Sequence, residues 1–272
     1  MTATSGRKFL TLGILNLTPD SFSDGGRFQD PSSAFNRAMT LLEHGADYID
    51  VGADSTRPGS SLISEDAEWE RLEGFLELAC RKNLISKISV DTRKHAIMKR
   101  AAEMKVSFIN CVGPTPEADE LMELVRHNKN LSFIATHMHG TPADMQLSPL
   151  APQSAKKRVS SFFESATADL LEAGFETAQI FMDPGIGFGK TDAANLALLT
   201  QTPKWSDEYN IAIGVSRKGF IGRLFGGAEP SDRDQASKVI EVASVAAGAS
   251  LIRTHDVLGF FKACSTLREA QS

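Results

Sequence analysis

The feature that most restricts how this 272-residue chain can fold is a rhythm. Short apolar, β-type runs recur eight times, and a helix-type pattern follows nearly every one. The runs are TLGILN, YIDVGAD, KISVDT, VSFINC, SFIATH, QIFMDPG, IAIGVSR and SLIRTHD, ending near Asn16, Val51, Asp91, Asn110, His137, Asp183, Ser216 and Arg253. They are mostly apolar rather than alternating, which marks strands covered on both faces and hence a parallel sheet wrapped in helices. Between them, Ser64 is placed to cap a helix whose first turn holds Glu65, Asp66 and Glu68, with Trp69, Leu72, Phe75, Leu76 and Ala79 as its apolar stripe. A second stripe, Val159, Phe162, Phe163, Ala166, Leu170 and Ala173, stops at Gly174. Residues 93–105 and 234–247 predict further helices, and the proline-rich 141–153 a long loop. Eight strands close a barrel, whereas a doubly wound open sheet usually has fewer strands and no uniform rhythm. With no linker or composition shift, the expectation is an α/β, (β/α)8 TIM barrel forming a single domain over residues 1–272.

In such a barrel the segments after the strands open onto one face. That rule gathers Asn16, Asp20 and Asp24, then Thr56 and Arg57, Asp91, Asn110, and His137 with His139. It also brings in Asp183, Ser216 to Lys218, and Arg253 with His255 and Asp256. One polar strand end needs no function, because strands end at the water boundary; eight at once ask for a ligand. Asp91, Asn110 and Asp183 follow strongly apolar strands and should lie deep, where a carboxylate must be hydrogen-bonded. Two acceptors and an amide suit a nitrogen-rich heterocycle. A carboxylate metal cage is disfavoured, because neither aspartate has an Asp-x-Asp or His-x-x-x-His partner. Arg57, Lys218, Arg253 and His255, with Asn16 and Thr56 as neutral donors, suit a phosphate or diphosphate.

Two other signals weigh less. GIGFGKT at 185–191 imitates a phosphate loop, but Pro184 stands where GxxxxGK[ST] needs a glycine. His137-x-His139 could begin a metal-dependent hydrolase site, yet further ligands at metal spacing are lacking, and His139 reads as a loop or lid residue. Composition narrows the partners. A net charge of −5 and a pI near 5.7 argue against nucleic acid or an acidic membrane surface. Cys80, Cys111 and Cys264 are odd in number and far apart, so a reducing compartment is expected and a disulfide framework is not. The first nine residues lack a signal-peptide core, and no stretch reaches the roughly eighteen apolar residues of a membrane span, so the expectation is a cytoplasmic protein.

The runs GILNLTPDSFSDGG, DVGADSTRPG, ISVDT, FIN, HMHGTPADMQ, MDPGIGFGK, GVSRKGFIG and IRTHDV resemble, in order and over essentially the whole chain, the dihydropteroate synthase family of pterin-binding TIM barrels. The resemblance implies condensation of 6-hydroxymethyl-7,8-dihydropterin diphosphate with 4-aminobenzoate to give 7,8-dihydropteroate and diphosphate, a step of folate biosynthesis that sulfonamides block. It implies that Asp91, Asn110, Asp183 and Lys218 hold the pterin, which moves Lys218 from the phosphate set. Arg253 would stack on the pterin and bind diphosphate with His255, Asn16, Thr56 and Arg57, while Asn16 would also contact Mg2+. Phe22, Pro58, Phe188 and Ser216 would shape the aminobenzoate slot, beneath loops at 18–28 and 55–61 that close over the site. Asp20, Asp24, Arg57, Lys218 and Arg253 would carry the dissociative chemistry, without a protein nucleophile. A homodimer is implied as well. Two departures stand out: Cys111 replaces the aspartate usual after Ile-Asn, which could alter pterin affinity if that aspartate fixes Asn110, and Asp54 replaces a glutamate. Rival readings are a non-catalytic or divergent pterin-binding paralog, a methyltetrahydrofolate-binding methyltransferase, and a metal hydrolase built on His137 and His139.

Overall fold

The computed structural model describes residues 9–18, 31–54, 63–227 and 229–271. Eight parallel strands follow one another around a closed barrel: β1 (Leu10–Asn16), β2 (Tyr48–Gly52), β3 (Ile88–Asp91), β4 (Phe108–Val112), β5 (Ser132–Thr136), β6 (Ile180–Asp183), β7 (Asn210–Ile213) and β8 (Leu251–Thr254). β1 pairs with both β2 and β8, which closes the ring. The principal helices between strands are α1 (Pro31–Glu43), α2 (Glu65–Arg81), α3 (His95–Glu103), α4 (Ala118–His127), α5 (Pro152–Glu172), α6 (Asp192–Leu199), the short α7 (Thr202–Trp205), α8 (Gly219–Phe225) and α9 (Asp234–Ala246). α10 (Val257–Gln271) follows β8. The (β/α)8 reading therefore holds, with β4 running two residues past Asn110 and β7 stopping short of Ser216.

The helices form where their patterns place them. Ser64 caps α2 by accepting the Ala67 N–H at 3.2 Å, and Leu72, Phe75, Leu76 and Ala79 are buried behind it. α5 buries Ala155, Val159, Phe163, Ala166 and Leu170 and ends before Gly174, whose φ of +100° suits a residue without a Cβ.

The barrel interior is sorted into layers. Leu12, Phe108, Ile134, Phe181, Ala212 and Leu251 form a buried apolar plug, with Leu10 and Tyr48 packed against it. Side chains alternate along a strand, so two residues further on the chain points inward again. From Tyr48, Phe108, Phe181 and Leu251 that step arrives at Asp50, Asn110, Asp183 and Arg253, all of them buried. A polar layer thus sits directly above the apolar one.

On the outer side, α9 turns Glu241 toward the back of β8. It is fully buried, with Oε2 accepting from Thr254 Oγ1 at 3.2 Å and Oε1 without a partner among the described residues. Burial, with smaller contributions from Asp234 and Asp256, raises its pKa to about 8. The folded state holds a proton that the unfolded chain releases near the ordinary glutamate value. The cost to stability therefore grows from about pH 4.5 and levels off above about pH 8. Glu241→Gln should raise the melting temperature at pH 8 by the equivalent of about 2–4 kcal/mol and leave it unchanged near pH 4. Melting curves at the two pH values provide the check, and an equal shift at both would contradict the buried-proton account.

Candidate active site

The polar layer converges on one cation. Arg253 donates from Nε to Asp50 Oδ2 at 2.8 Å and from Nη2 to Asp91 Oδ2 at 2.8 Å, with a second Nη2 contact to Asp50. Asp50 also accepts from Ser89 Oγ at 2.6 Å and Asn110 Nδ2 at 3.2 Å. Burial alone would depress the Arg253 pKa, but the facing carboxylates Asp50 and Asp91 outweigh it and raise the value. Asp91 is shifted upward, first by burial and then by the like charge of Asp50, against the pull of Arg253. Two acids share one guanidinium, so neither is fully compensated.

On the opposite wall, Asp183 is buried and accepts the Gly185 N–H at 2.7 Å through Oδ1, leaving Oδ2 without a hydrogen bond to a described residue. Its pKa is raised by burial, which outweighs the nearby Lys218. Asn110 Oδ1 is likewise buried without a partner among the described residues. Lys218, the N-cap residue of α8, donates to the Ile186 carbonyl and lies 4.2 Å from the Phe188 ring centroid. Burial lowers its pKa to about 8, with Asp183 opposing the shift. Ser216 orders His255: its Oγ accepts the His255 backbone N–H at 3.1 Å and lies 2.9 Å from Nδ1.

The loop after β6 is fixed by two glycines and a lysine. Gly185 and Gly189 have φ of +66° and +67°, and a Cβ on them would stand 1.8 Å and 2.2 Å from the carbonyl oxygens of His137 and His139. Lys190 is buried and turned inward, donating to the carbonyls of Gly185 at 2.8 Å and Phe188 at 3.0 Å, with Nζ 3.0 Å from His137 Nδ1. The lysine that imitates a phosphate loop is therefore spent on its own backbone. With Nδ1 committed to Lys190, His137 is also a poor start for a metal site, and no group of three or more His, Cys, Asp or Glu among the described residues could hold a metal ion.

Of the expected site residues, Asn16, Asp91, Asn110, Asp183, Phe188, Ser216, Lys218, Arg253 and His255 all stand in or just beyond the C-terminal halves of their strands, on one face of the barrel. Asp20, Phe22, Asp24, Thr56, Arg57 and Pro58 lie outside the described residues. Asp50 is a site residue that the sequence pattern does not mark, because the second run ends near Val51 and a mid-strand acid passes as part of an apolar segment. A charged residue at an inward position of a barrel strand was the available signal. Cys111 alternates away from Asn110 into the helical layer, with Sγ 3.7 Å from the Pro114 carbonyl and a pKa pushed up to about 12, mainly by burial. The Asn110 amide is held by Asp50 instead. Asp54 receives Lys94 Nζ at 3.1 Å, so the shorter acid still has a cation.

Comparison with known proteins agrees with this geometry. Residues 12–255 match the family model described as pterin binding enzyme. The chain is 37% identical over 250 residues to a dihydropteroate synthase of Neisseria meningitidis serogroup C, covering 90% of this chain and 87% of the relative. A dihydropteroate synthase of Xanthomonas albilineans, solved with 4-aminobenzoic acid, superposes with a TM-score of 0.85 at 30% identity, covering 97% of this chain and 93% of the other. One from Anaplasma phagocytophilum, with bound 6-hydroxymethylpterin-monophosphate, gives 0.84 at 29% identity, over 97% of this chain and all of the other.

Proposed function

This chain belongs to the pterin binding enzyme family, and from that premise we propose that it catalyses the dihydropteroate synthase reaction, joining 6-hydroxymethyl-7,8-dihydropterin diphosphate to 4-aminobenzoate with release of diphosphate. The observation that carries the reading is a pair of acceptors with no hydrogen bond to a described residue, the buried Asn110 Oδ1 and Oδ2 of Asp183, set in a polar layer where Arg253 and Lys218 face the carboxylates. Buried acceptors without donors are costly, and the N–H edge of a pterin supplies donors. Asp183 and Asn110 would take that edge, with Asp91 and Lys218 alongside. Arg253 would cover the ring and, with His255, Asn16, Thr56 and Arg57, face the diphosphate.

In this reading the bond between the pterin methylene and the diphosphate oxygen breaks first. The electron-rich ring stabilises the methylene cation, and cations at the mouth stabilise the departing group. The arylamine nitrogen then attacks the methylene and releases its proton to solvent. Phe188, over which Lys218 lies, would form one wall of the arylamine slot with Phe22, Pro58 and Ser216. Asp20 and Asp24 would face the cationic centre. Asn16 at the end of β1 is half-buried, and its side chain makes no hydrogen bond with a described residue. One neutral oxygen fits a magnesium ion that arrives on diphosphate and keeps much of its water, the usual manner of that ion. When bound, Mg2+ would add Lewis-acid stabilisation of the leaving group. The same reading makes the protein a cytoplasmic homodimer and a sulfonamide target. Phe225 and Val239, 62% and 70% exposed on α8 and α9, favour self-association.

Purified protein given Mg2+, the pterin diphosphate and 4-aminobenzoate should release diphosphate and form 7,8-dihydropteroate. Because Lys218 acts as a cation with a pKa lowered to about 8, kcat/KM should fall as pH rises above that value. Pterin binding without turnover would instead identify a divergent, non-catalytic paralog.

A further inference from the structure

On the same face of the barrel but outside the polar layer, the segments after β4 and β5 and one face of α5 line a groove of about 700 Å³, well within the size range of small-molecule sites. None of Asp91, Asn110, Asp183, Lys218 or Arg253 lines it. His137 does, and it is only 7% exposed. Its Nδ1 faces Lys190 Nζ at 3.0 Å, and burial together with Lys190 holds the ring pKa down at about 3. A neutral ring that accepts at Nδ1 carries its proton at Nε2, and that N–H has no partner among the described residues. Phe162 meets the ring edge-on, with centroids 5.4 Å apart, and Met138 supplies a second apolar surface. Further along α5, Lys157 and Arg158 are exposed at the groove and form no ion pair with a described residue, with Ser161 one turn on.

A donor on a nearly buried ring, apolar sides and an open cationic end define a ligand with matching parts. We propose that this groove is a second binding site, for a small aromatic carboxylate whose anionic end meets Lys157 and Arg158 and whose far end presents an acceptor to His137 Nε2–H. The site does not depend on the reading of the barrel mouth. His137 is one hydrogen bond from Lys190, which holds the Phe188 carbonyl, so such a ligand rests against the support of the loop carrying Phe188.

The probe is 6-hydroxy-2-naphthoate, titrated into the full chain and followed by ligand-observed NMR. Saturable binding in the micromolar range is expected. Lys157→Glu with Arg158→Glu, two exposed changes, should weaken it at least about tenfold. Asp183→Asn should leave it unchanged, and 2-naphthoate, which lacks the distal acceptor, should bind several-fold more weakly. No saturable binding, equal binding by the charge-reversed protein, or loss of binding in Asp183→Asn, which would place the probe in the mouth, overturns the proposal.

Discussion

Arg253→Ala is expected to lower kcat at least about 10³-fold, the scale of losing a preorganised cation aimed at charge that develops in the transition state. Beyond the diphosphate contact proposed for it, the arginine has a second role. It compensates Asp50 and Asp91 together, so its removal leaves two carboxylates in one buried layer without a counter-ion. One of them should then take up a proton at neutral pH, and the melting temperature should drop alongside the rate. Arg253→Lys separates the two roles: it restores charge without the planar fork, so stability should recover more fully than kcat. Steady-state kinetics and thermal melts on the two variants are the measurements. A kcat within severalfold of the parent in Arg253→Ala would remove this residue from the chemistry.

The second large effect concerns Asp183. Its two oxygens differ: Oδ1 holds the Gly185 N–H, and Oδ2 has no hydrogen bond to a described residue. Asparagine keeps an acceptor for Gly185 but presents an amide donor where, in the proposed binding mode, the pterin edge also donates. Asp183→Asn should therefore lower kcat/KM about 10²-fold, mostly through pterin affinity, while the melting temperature stays close to the parent's. Asp183→Ala should lose more on both counts, since the Gly185 N–H then lacks its partner in a loop that cannot easily shift. Calorimetric titration with 6-hydroxymethylpterin distinguishes the cases. Undiminished affinity in Asp183→Asn would place the pterin elsewhere.

Much of this was written in the pattern of residues. The alternation of apolar runs and helical stripes fixed eight strands and their order, because each element's periodicity reflects its own burial. The rim residues were legible for the same reason: a polar side chain that ends an apolar strand can hardly be anywhere else. Pairing inside the barrel was not legible. Asp50 and Arg253 are 203 positions apart, and they meet because closure sets β8 and β2 on either side of β1, where Arg253 pairs with Leu12 and Asp50 with Ile14, one inward-facing step further along. Local periodicity carries no information about that shear. Where Lys190 points was not legible for a related reason, since whether a lysine after glycines faces solvent or its own loop depends on the neighbouring strand's carbonyls. Glu241 gave no warning either, sitting on α9 at a position that helical spacing alone does not distinguish from a solvated one.

The seam where Gly185 and Gly189 lie against the His137 and His139 carbonyls has an implication for any inhibitor of the proposed reaction. Any side chain added there collides with main chain, and the left-handed backbone already excludes most residues. An inhibitor anchored on this edge of the mouth would touch a surface that mutation can hardly reshape without unfolding it, whereas escape variants should collect among residues free of such crowding.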